Sequence, residues 1–385
     1  MNKILYWSPF TSKVATIKSV IDSVYSVNKY LHSKYKASII DAVDEWGSYK
    51  DILYSKDIEV IKLNKKTVFN SFTKDGFLKS RIAYLYIIAK SIFPLHNLIK
   101  TYKPKFLIIH LITSLPLFLF IFQNYETKLI LRISGLPKMT FIRKILWKFA
   151  IKKIYKITCP TIDTYKDLSK FDFLKEKLVV LKDPIINCND IKKIKLKEVN
   201  VSKDIKEIIS NNDFFLSIGR FTKQKNFIFY LKSIPKILKL NKDLYFLFIG
   251  HGENKKLFFK IARKLNILNR IIVIQNTDNV HYFMERSKCL VLTSLWEDPG
   301  FVLVEAGYNN CQVISSDCPN GPNEIISHDG GYLFQSNNEE NFVKIVGDFL
   351  KDTEKTKLLK KVVLKKRIKS FTIFHHSLAL KEILG

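Results

Sequence analysis

Residues 294–305 read Ser294-Leu-Trp-Glu-Asp-Pro-Gly-Phe-Val-Leu-Val-Glu305. The apolar run before them, Cys289-Leu-Val-Leu-Thr293, predicts a buried strand. Pro299 and Gly300 predict a tight turn, and 301–308 a short helix. Strand, turn and helix in that order place ligands outside the carboxyl end of a parallel sheet. The backbone N–H groups of Gly300, Phe301 and Val302 then have no partner inside the helix and can face an anion. Two carboxylates, Glu297 and Glu305, flank the turn with seven residues between them. That spacing is common by chance, so its meaning depends on the surrounding chain.

Working outward, the same alternation recurs. Apolar strand patterns at 213–219, 244–250, 270–274, 311–315 and 331–334 are separated by helical patterns. The first half repeats the scheme, with strands at 3–9, 37–42, 58–63, 106–110, 129–133 and 153–158. A helix is expected over 76–93, stopped by Pro94. The Lys-rich segment 183–203 has no sustained apolar period and reads as a linker. The longest apolar run, 106–122, is about 17 residues and contains His110, Thr113, Ser114 and Pro116, so it is read as strand, loop and helix rather than a membrane span.

The 385 residues suffice for two domains of roughly 150 to 200 residues each. The net charge of +29 and the pI near 9.7 point to anionic partners: nucleic acid, anionic lipid or a phosphorylated substrate. Five cysteines without a C-x-x-C pair indicate reduced thiols in a cytoplasmic protein, not a disulfide frame or zinc site. The N-terminus enters a strand pattern directly, without a signal-peptide layout. No RNP, zinc or helix-turn-helix signature supports nucleic acid as the partner.

After the strand at 213–219 comes Ser217-Ile-Gly219-Arg220-Phe-Thr-Lys-Gln-Lys225-Asn226. Gly219 permits a tight turn, Arg220 offers a planar fork for phosphate oxygens, Lys225 a point charge, and Asn226 a cap for the next helix. The next strand ends in Gly250-His251-Gly252, and Asp317-Cys-Pro-Asn-Gly-Pro-Asn-Glu324 forms another strand-end turn. Taken alone, each is equally a solvated loop or a structural turn.

Together they resemble the Glu-x7-Glu signature of retaining glycosyltransferases with the GT-B architecture, in particular glycosyltransferase family 4 of the bacterial capsule, O-antigen and lipopolysaccharide type. The resemblance covers 213–335 by motif and the first half by architecture. It implies an α/β fold with two Rossmann-like domains facing across a cleft. The N-terminal domain (1–185) takes the acceptor, the C-terminal domain (186–370) the nucleotide sugar, and 371–385 packs back on the N-terminal domain. It further implies that Arg220 and Lys225 bind the donor diphosphate, that Glu297 meets the donor sugar, and that Glu305 holds the ribose hydroxyls. Gly219, Gly250, Gly252, Pro299, Gly300, Phe301 and Val302 then line the donor site. Family members often have a Gly-rich loop after the first strand. Here Ser8-Pro-Phe-Thr-Ser-Lys-Val-Ala-Thr16 has no glycine, and Ser12 and Lys13 are the candidates in its place. Members also often place a histidine at a sheet edge near the reacting sugar, and His110 ends a strand as such a residue does.

Arg132-Ile-Ser134-Gly135 is a polar strand-end turn that either contacts an acceptor phosphate or simply turns the chain. From 128 to 162 there is no acid, while Arg143, Lys144, Lys148, Lys152, Lys153 and Lys156 interleave with Phe141, Ile145, Trp147 and Phe149. A basic amphipathic helix of this kind suits an anionic membrane surface. The expected activity is transfer of a hexosyl group from a nucleotide-diphosphate sugar, with UDP favoured, to a lipid-linked or lipopolysaccharide glycan. It is expected to retain configuration and to need no metal or other cofactor, on the inner face of the cytoplasmic membrane. Nucleotide-sugar epimerisation or hydrolysis on the same fold, and non-catalytic lipid or nucleic-acid binding, are the alternatives.

Overall fold

The apolar strand patterns assemble into two separate parallel sheets, each buried on both faces by helices. The computed structural model describes residues 1–11, 16–64 and 77–385, with the backbone alone at 77–80. Ser12 and Lys13 lie outside the described residues. The chain divides into two compact units, Met1–Ile185 with Ile373–Gly385, and Ile186–Thr372.

In the first unit the order is β1 (Asn2–Trp7), α1 (Thr16–Tyr30), β2 (Tyr35–Asp41), α2 (Lys50–Ser55), β3 (Val60–Lys62), α3 (Phe77–Tyr102), β4 (Phe106–Ile109), α4 (Ser114–Phe122), β5 (Lys128–Arg132), α5 (Phe141–Ala150), β6 (Ile154–Cys159), α6 (Ile162–Ser169) and β7 (Leu178–Val180). The sheet runs β3-β2-β1-β4-β5-β6-β7, so strand order reverses between β1 and β4. Leu5, Trp7, Leu107 and Leu131 pack with α3, α4 and α5 in one core layer, while Ile4, Tyr6, Ile39 and Ile108 pack with α1 in the other.

The second unit contains α7 (Cys188–Lys195), α8 (Lys203–Asn211), β8 (Phe214–Ile218), α9 (Phe227–Leu240), β9 (Tyr245–Ile249), α10 (Lys255–Lys264), β10 (Ile271–Ile274), α11 (Val280–Arg286), β11 (Cys289–Leu292), α12 (Phe301–Tyr308), β12 (Val313–Ser316), α13 (Pro322–Ile326), β13 (Tyr332–Phe334), α14 (Glu339–Lys351) and α15 (Glu354–Arg367). Its sheet runs β10-β9-β8-β11-β12-β13 and reverses between β8 and β11. Phe248 sits within an aromatic cluster, its ring 4.9 Å from Phe258, 5.3 Å from Phe227 and 5.4 Å from Tyr230. Removing so embedded a ring costs about 3–5 kcal/mol. Phe221, buried in the same cluster, anchors the loop that carries Arg220.

Two sequence expectations are corrected here. Helix α3 runs through Pro94 to Tyr102 instead of stopping before it. A proline inside a helix frees the carbonyl four residues earlier. That carbonyl, Lys90 O, accepts from Asn64 Nδ2 at 3.2 Å, and Leu95 and Ile99 beyond the proline are buried in the core. The segment read as a linker holds α7, whose Ile191 is buried as α7 packs against α11. One apolar side chain per turn was too weak a signal amid the lysines.

The closing helix α16 (Ile373–Leu384) returns to the first unit and packs on α1. His376 Nδ1 lies 2.8 Å from Lys182 O and its Nε2 2.8 Å from Ser23 Oγ, which is 2.9 Å from Tyr6 Oη. A carbonyl only accepts, so Nδ1 carries the proton, Nε2 accepts from Ser23, and Tyr6 donates to Ser23. Burial, together with the nearby Arg132 charge, lowers the His376 pKa from 6.5 to about 3. The folded chain therefore binds fewer protons than the unfolded chain between those values, and stability falls as pH drops through that window. At two pH units below 6.5, His376 alone should cost about 2–3 kcal/mol. Thermal unfolding of wild type and His376→Gln between neutral and acidic pH checks this. The variant should lose less stability on acidification, and parallel curves would contradict the assignment.

Candidate functional site at the carboxyl edges of the sheets

Ligands in open parallel sheets gather outside the carboxyl ends of the strands where strand order reverses. In the second unit that point lies between β8 and β11. The loop after β8 carries Arg220 and Lys225, and the loop after β11 carries Glu297, Pro299 and Gly300. Glu297 is buried, at 4% exposure. Its Oε1 is 2.5 Å from Lys225 Nζ and accepts from Ser294 Oγ. A buried carboxylate needs such partners because it has lost its water. Arg220 is exposed and has no ion-pair partner among the described residues.

Three loops are tied together around this pair. Leu295 N donates to Gln224 O at 2.8 Å, Gln224 Nε2 to Trp296 O at 3.0 Å, and Thr293 Oγ1 to Lys225 O at 3.0 Å. The loop after β12 joins through Glu297 N to Pro319 O at 3.1 Å and Ser316 Oγ to Ser294 O at 2.6 Å. Gly321 is required there, since a Cβ would lie 2.0 Å from Pro299 O at a φ of +130°. Gly250 is required for a similar reason: a Cβ would lie 2.0 Å from Gly219 O. Gly252 stands just beyond it, close to Phe221.

Gly300 caps α12 with a φ of +94°, after which Phe301 and Val302 open the helix. Glu305 is half-buried one turn further along. A Cβ at Gly300 would lie 3.5 Å from Glu297 Cγ, so the first turn of α12, with its free N–H groups and the positive end of the helix dipole, opens beside the Lys225–Glu297 pair, an arrangement suited to an anion. The sequence reading missed Ser294, Ser316 and Cys318. Ser294 stands three residues before Glu297, a spacing that could have suggested a local hydrogen bond. Burial pushes the Cys318 thiol up to about 12, so it is not a thiolate at neutral pH. Asn226 sits at the start of α9 but does not cap it: its Nδ2 turns to Asn337 Oδ1 at 3.3 Å.

The first unit places a polar row at its own carboxyl edge. Pairs Trp7–Ile40, Trp7–Ile109 and Ile109–Leu131 set the register. One residue on, Asp41, Ser8, His110 and Arg132 stand on neighbouring strands, and Arg132 pairs with Thr158. All five are buried. Neither ring nitrogen of His110 has a partner among the described residues. Burial, and then the Arg132 charge, hold its pKa well below 6.5, so the ring is neutral. The expected availability of Arg132 to an acceptor phosphate is corrected: its guanidinium is buried against Asp183 and donates to Ser19 Oγ at 2.9 Å. Desolvation requires that counter-ion, and the pair ties β5 to the chain after β7. Ser134 and Gly135 are half-exposed in the turn that follows.

The sequence reading also missed Glu45, which accepts from Val43 N at 2.8 Å and Ala42 N at 3.1 Å. Burial and the adjacent Asp41 raise its pKa well above 4.5. Three acids within five residues at a strand end, Asp41, Asp44 and Glu45, were the available signal.

Residues 199–365 match the family model of glycosyl transferases group 1. An uncharacterized glycosyltransferase of Methanocaldococcus jannaschii is 26% identical over 330 residues, covering 82% of this chain and 77% of that protein. The Campylobacter jejuni N-acetylgalactosamine-N,N'-diacetylbacillosaminyl-diphospho-undecaprenol 4-alpha-N-acetylgalactosaminyltransferase is 26% identical over 185 residues, 48% of this chain and 50% of that enzyme. Among solved structures, Anabaena HepE in complex with UDP matches with a TM-score of 0.74 at 14% identity, covering 99% of each chain. That likeness is one of fold.

If Glu297 and Lys225 depend on each other, their mutational effects are not additive. A double-mutant cycle with Lys225→Met and Glu297→Gln should give a coupling on the order of 1–3 kcal/mol in chemical unfolding. Additive losses would show that the pair is incidental.

Proposed function

We propose that the chain transfers a hexosyl group from a UDP-sugar to a lipid-linked glycan in bacterial surface polysaccharide synthesis, with retention of configuration; the match of residues 199–365 to the group 1 glycosyl transferase model and the GT-B fold support this reading. The observation that carries this is the grouping of Arg220, Lys225, Glu297 and the start of α12 around the reversal point of one sheet. The diphosphate of the donor binds Arg220, Lys225 and the first-turn N–H groups of α12. These charges offset the negative charge that builds on the leaving group, and no metal is needed for that purpose. Glu305 takes the ribose hydroxyls, and Glu297 takes hydroxyls of the donor sugar. The glycosidic carbon–oxygen bond to the diphosphate breaks as the acceptor oxygen bonds to the same carbon from the same face. A leaving phosphate oxygen accepts the acceptor proton.

UDP, the nucleotide held by the Anabaena neighbour, is the nucleotide to test first. The Campylobacter relative is named for an undecaprenol-diphosphate glycan, which supports an acceptor of that class. It also supports work at the membrane surface, where the acid-free stretch 128–162 meets anionic lipid.

A ligand that binds only the folded chain raises stability by about 2.7 kcal/mol at roughly 100 Kd. Thermal unfolding with UDP, GDP, ADP and CMP should show a shift with UDP that Glu305→Ala abolishes. Absence of a shift with all four would remove the donor site. NMR of the product should show the anomeric configuration of the donor, and inversion would refute the retaining mechanism.

A further inference from the structure

The second unit has a cavity at the amino ends of its strands, on the edge of the sheet opposite to Arg220 and Glu297. It holds about 630 Å³ where α8 runs into β8, α9 runs into β9, and α11 ends. Sites for small ligands span roughly 300–1,000 Å³, so the size is adequate. The lining is polar and comes mainly from Asn211, Asn212, Asp213, Asn241, Asp243 and Arg286. Three of these groups are committed. Asn212 Nδ2 donates to Ile208 O at 3.0 Å, Asn241 Oδ1 accepts from Asp243 N at 3.1 Å, and Asp213 Oδ2 is 2.6 Å from Lys288 Nζ. The exposed side chains of Asn211 and Asp243 have no hydrogen bond or ion pair among the described residues. Arg286 Nη1 donates to Tyr282 O at 3.1 Å, and its guanidinium lies 3.7 Å from the centre of the Tyr282 ring, which fixes the direction of the fork.

We propose that this cavity is a carbohydrate site, separate from the site of transfer, that holds a stretch of uncharged glycan. The proposal rests on the reading of a glycan-building transferase and adds a second place where glycan is bound. The lining selects the ligand. Amides, a carboxylate without a cation and a guanidinium set donors beside acceptors, and each hydroxyl of a sugar both donates and accepts. Asp213 and Asp243 balance Arg286 and Lys288, so in a chain of net charge +29 the cavity has no excess charge to draw an anion. Calcium takes six to eight oxygens, whereas Asp213 is tied to Lys288 and the described residues contain no cluster of three His, Cys, Asp or Glu. An apolar ligand would meet Ile209 as the single apolar residue of the described lining. Strands rise about 3.3 Å per residue, which puts Asp213 roughly 20 Å from Arg220 along β8. Glycan in the cavity and a nucleotide at Arg220 can therefore be bound at the same time.

The test is saturation-transfer NMR of the full chain, titrated with α-linked trisaccharides of N-acetylgalactosamine, of galactose and of glucose, without and with saturating UDP. At least one trisaccharide should bind, with a Kd that neither UDP nor Arg220→Ala alters. Changing Asn211→Ala and Asp243→Ala together removes a neutral and a charge-assisted set of hydrogen bonds and should raise that Kd about 10-fold or more. Both side chains are exposed and unpaired, so Tm should not move. A second variant, Ser210→Trp, fills the cavity without deleting those groups and should weaken binding in the same way. Failure of all three trisaccharides to bind would overturn the proposal. So would a wild-type Kd in either variant, which would put the sugar elsewhere on the chain. Displacement by UDP would overturn it as well, because the sugar would then occupy the donor site. Lack of UDP binding by wild type would count against the donor reading and leave the trisaccharide result standing.

Discussion

Glu297 is a carboxylate withdrawn from water, and the arrangement of the second unit's carboxyl edge follows from that withdrawal. Such a group keeps its charge only if cations and hydrogen-bond donors stand in for water. Lys225 and Ser294 do so, and they come from different loops. The loops after β8, β11 and β12 are therefore constrained relative to one another, and their hydrogen bonds and the close approach at Gly321 are the visible result. Lys225 is thus already partnered before any ligand arrives, whereas the exposed Arg220, next to the buried Phe221, has no ion-pair partner among the described residues.

Both units obey the same topological rule, yet they treat charge differently. At the edge of the first sheet the arginine is neutralised: Arg132 is buried against Asp183. His110 and His376 are held neutral by burial and by that same arginine. Among the described residues the cation of the first edge, Arg132, is paired, while the second edge has the exposed Arg220 and a helix start. The proposed placement of the donor's anionic end in the second unit draws on that contrast.

Much of this was legible in the sequence because parallel strands buried on both faces leave continuous apolar runs, such as Phe246-Leu-Phe-Ile249 and Phe106-Leu-Ile-Ile109. The strand-turn-helix around Pro299 and Gly300 was legible because those residue types mark the turn. Pro94 misled, since local propensity cannot see that Asn64 supplies the lost hydrogen bond or that the core holds the next two turns. The placement of Arg132 was illegible for the same reason: its counter-ion lies 51 residues away. Ser294 and Ser316 are small polar residues whose bonds become visible only when β11 and β12 lie side by side. The exposure of Ile82, Leu85 and Phe93 on α3 was hidden because a helix apolar on two sides reads simply as apolar.

The role proposed for Arg220 is to receive the donor's diphosphate. Titration calorimetry of UDP into wild type and Arg220→Ala tests it most directly, since the exposed side chain can be removed without disturbing the core. A charge-assisted hydrogen bond of about 1.5–3 kcal/mol predicts a Kd raised roughly 10- to 100-fold in the variant. Equal Kd values in the two proteins would contradict the account.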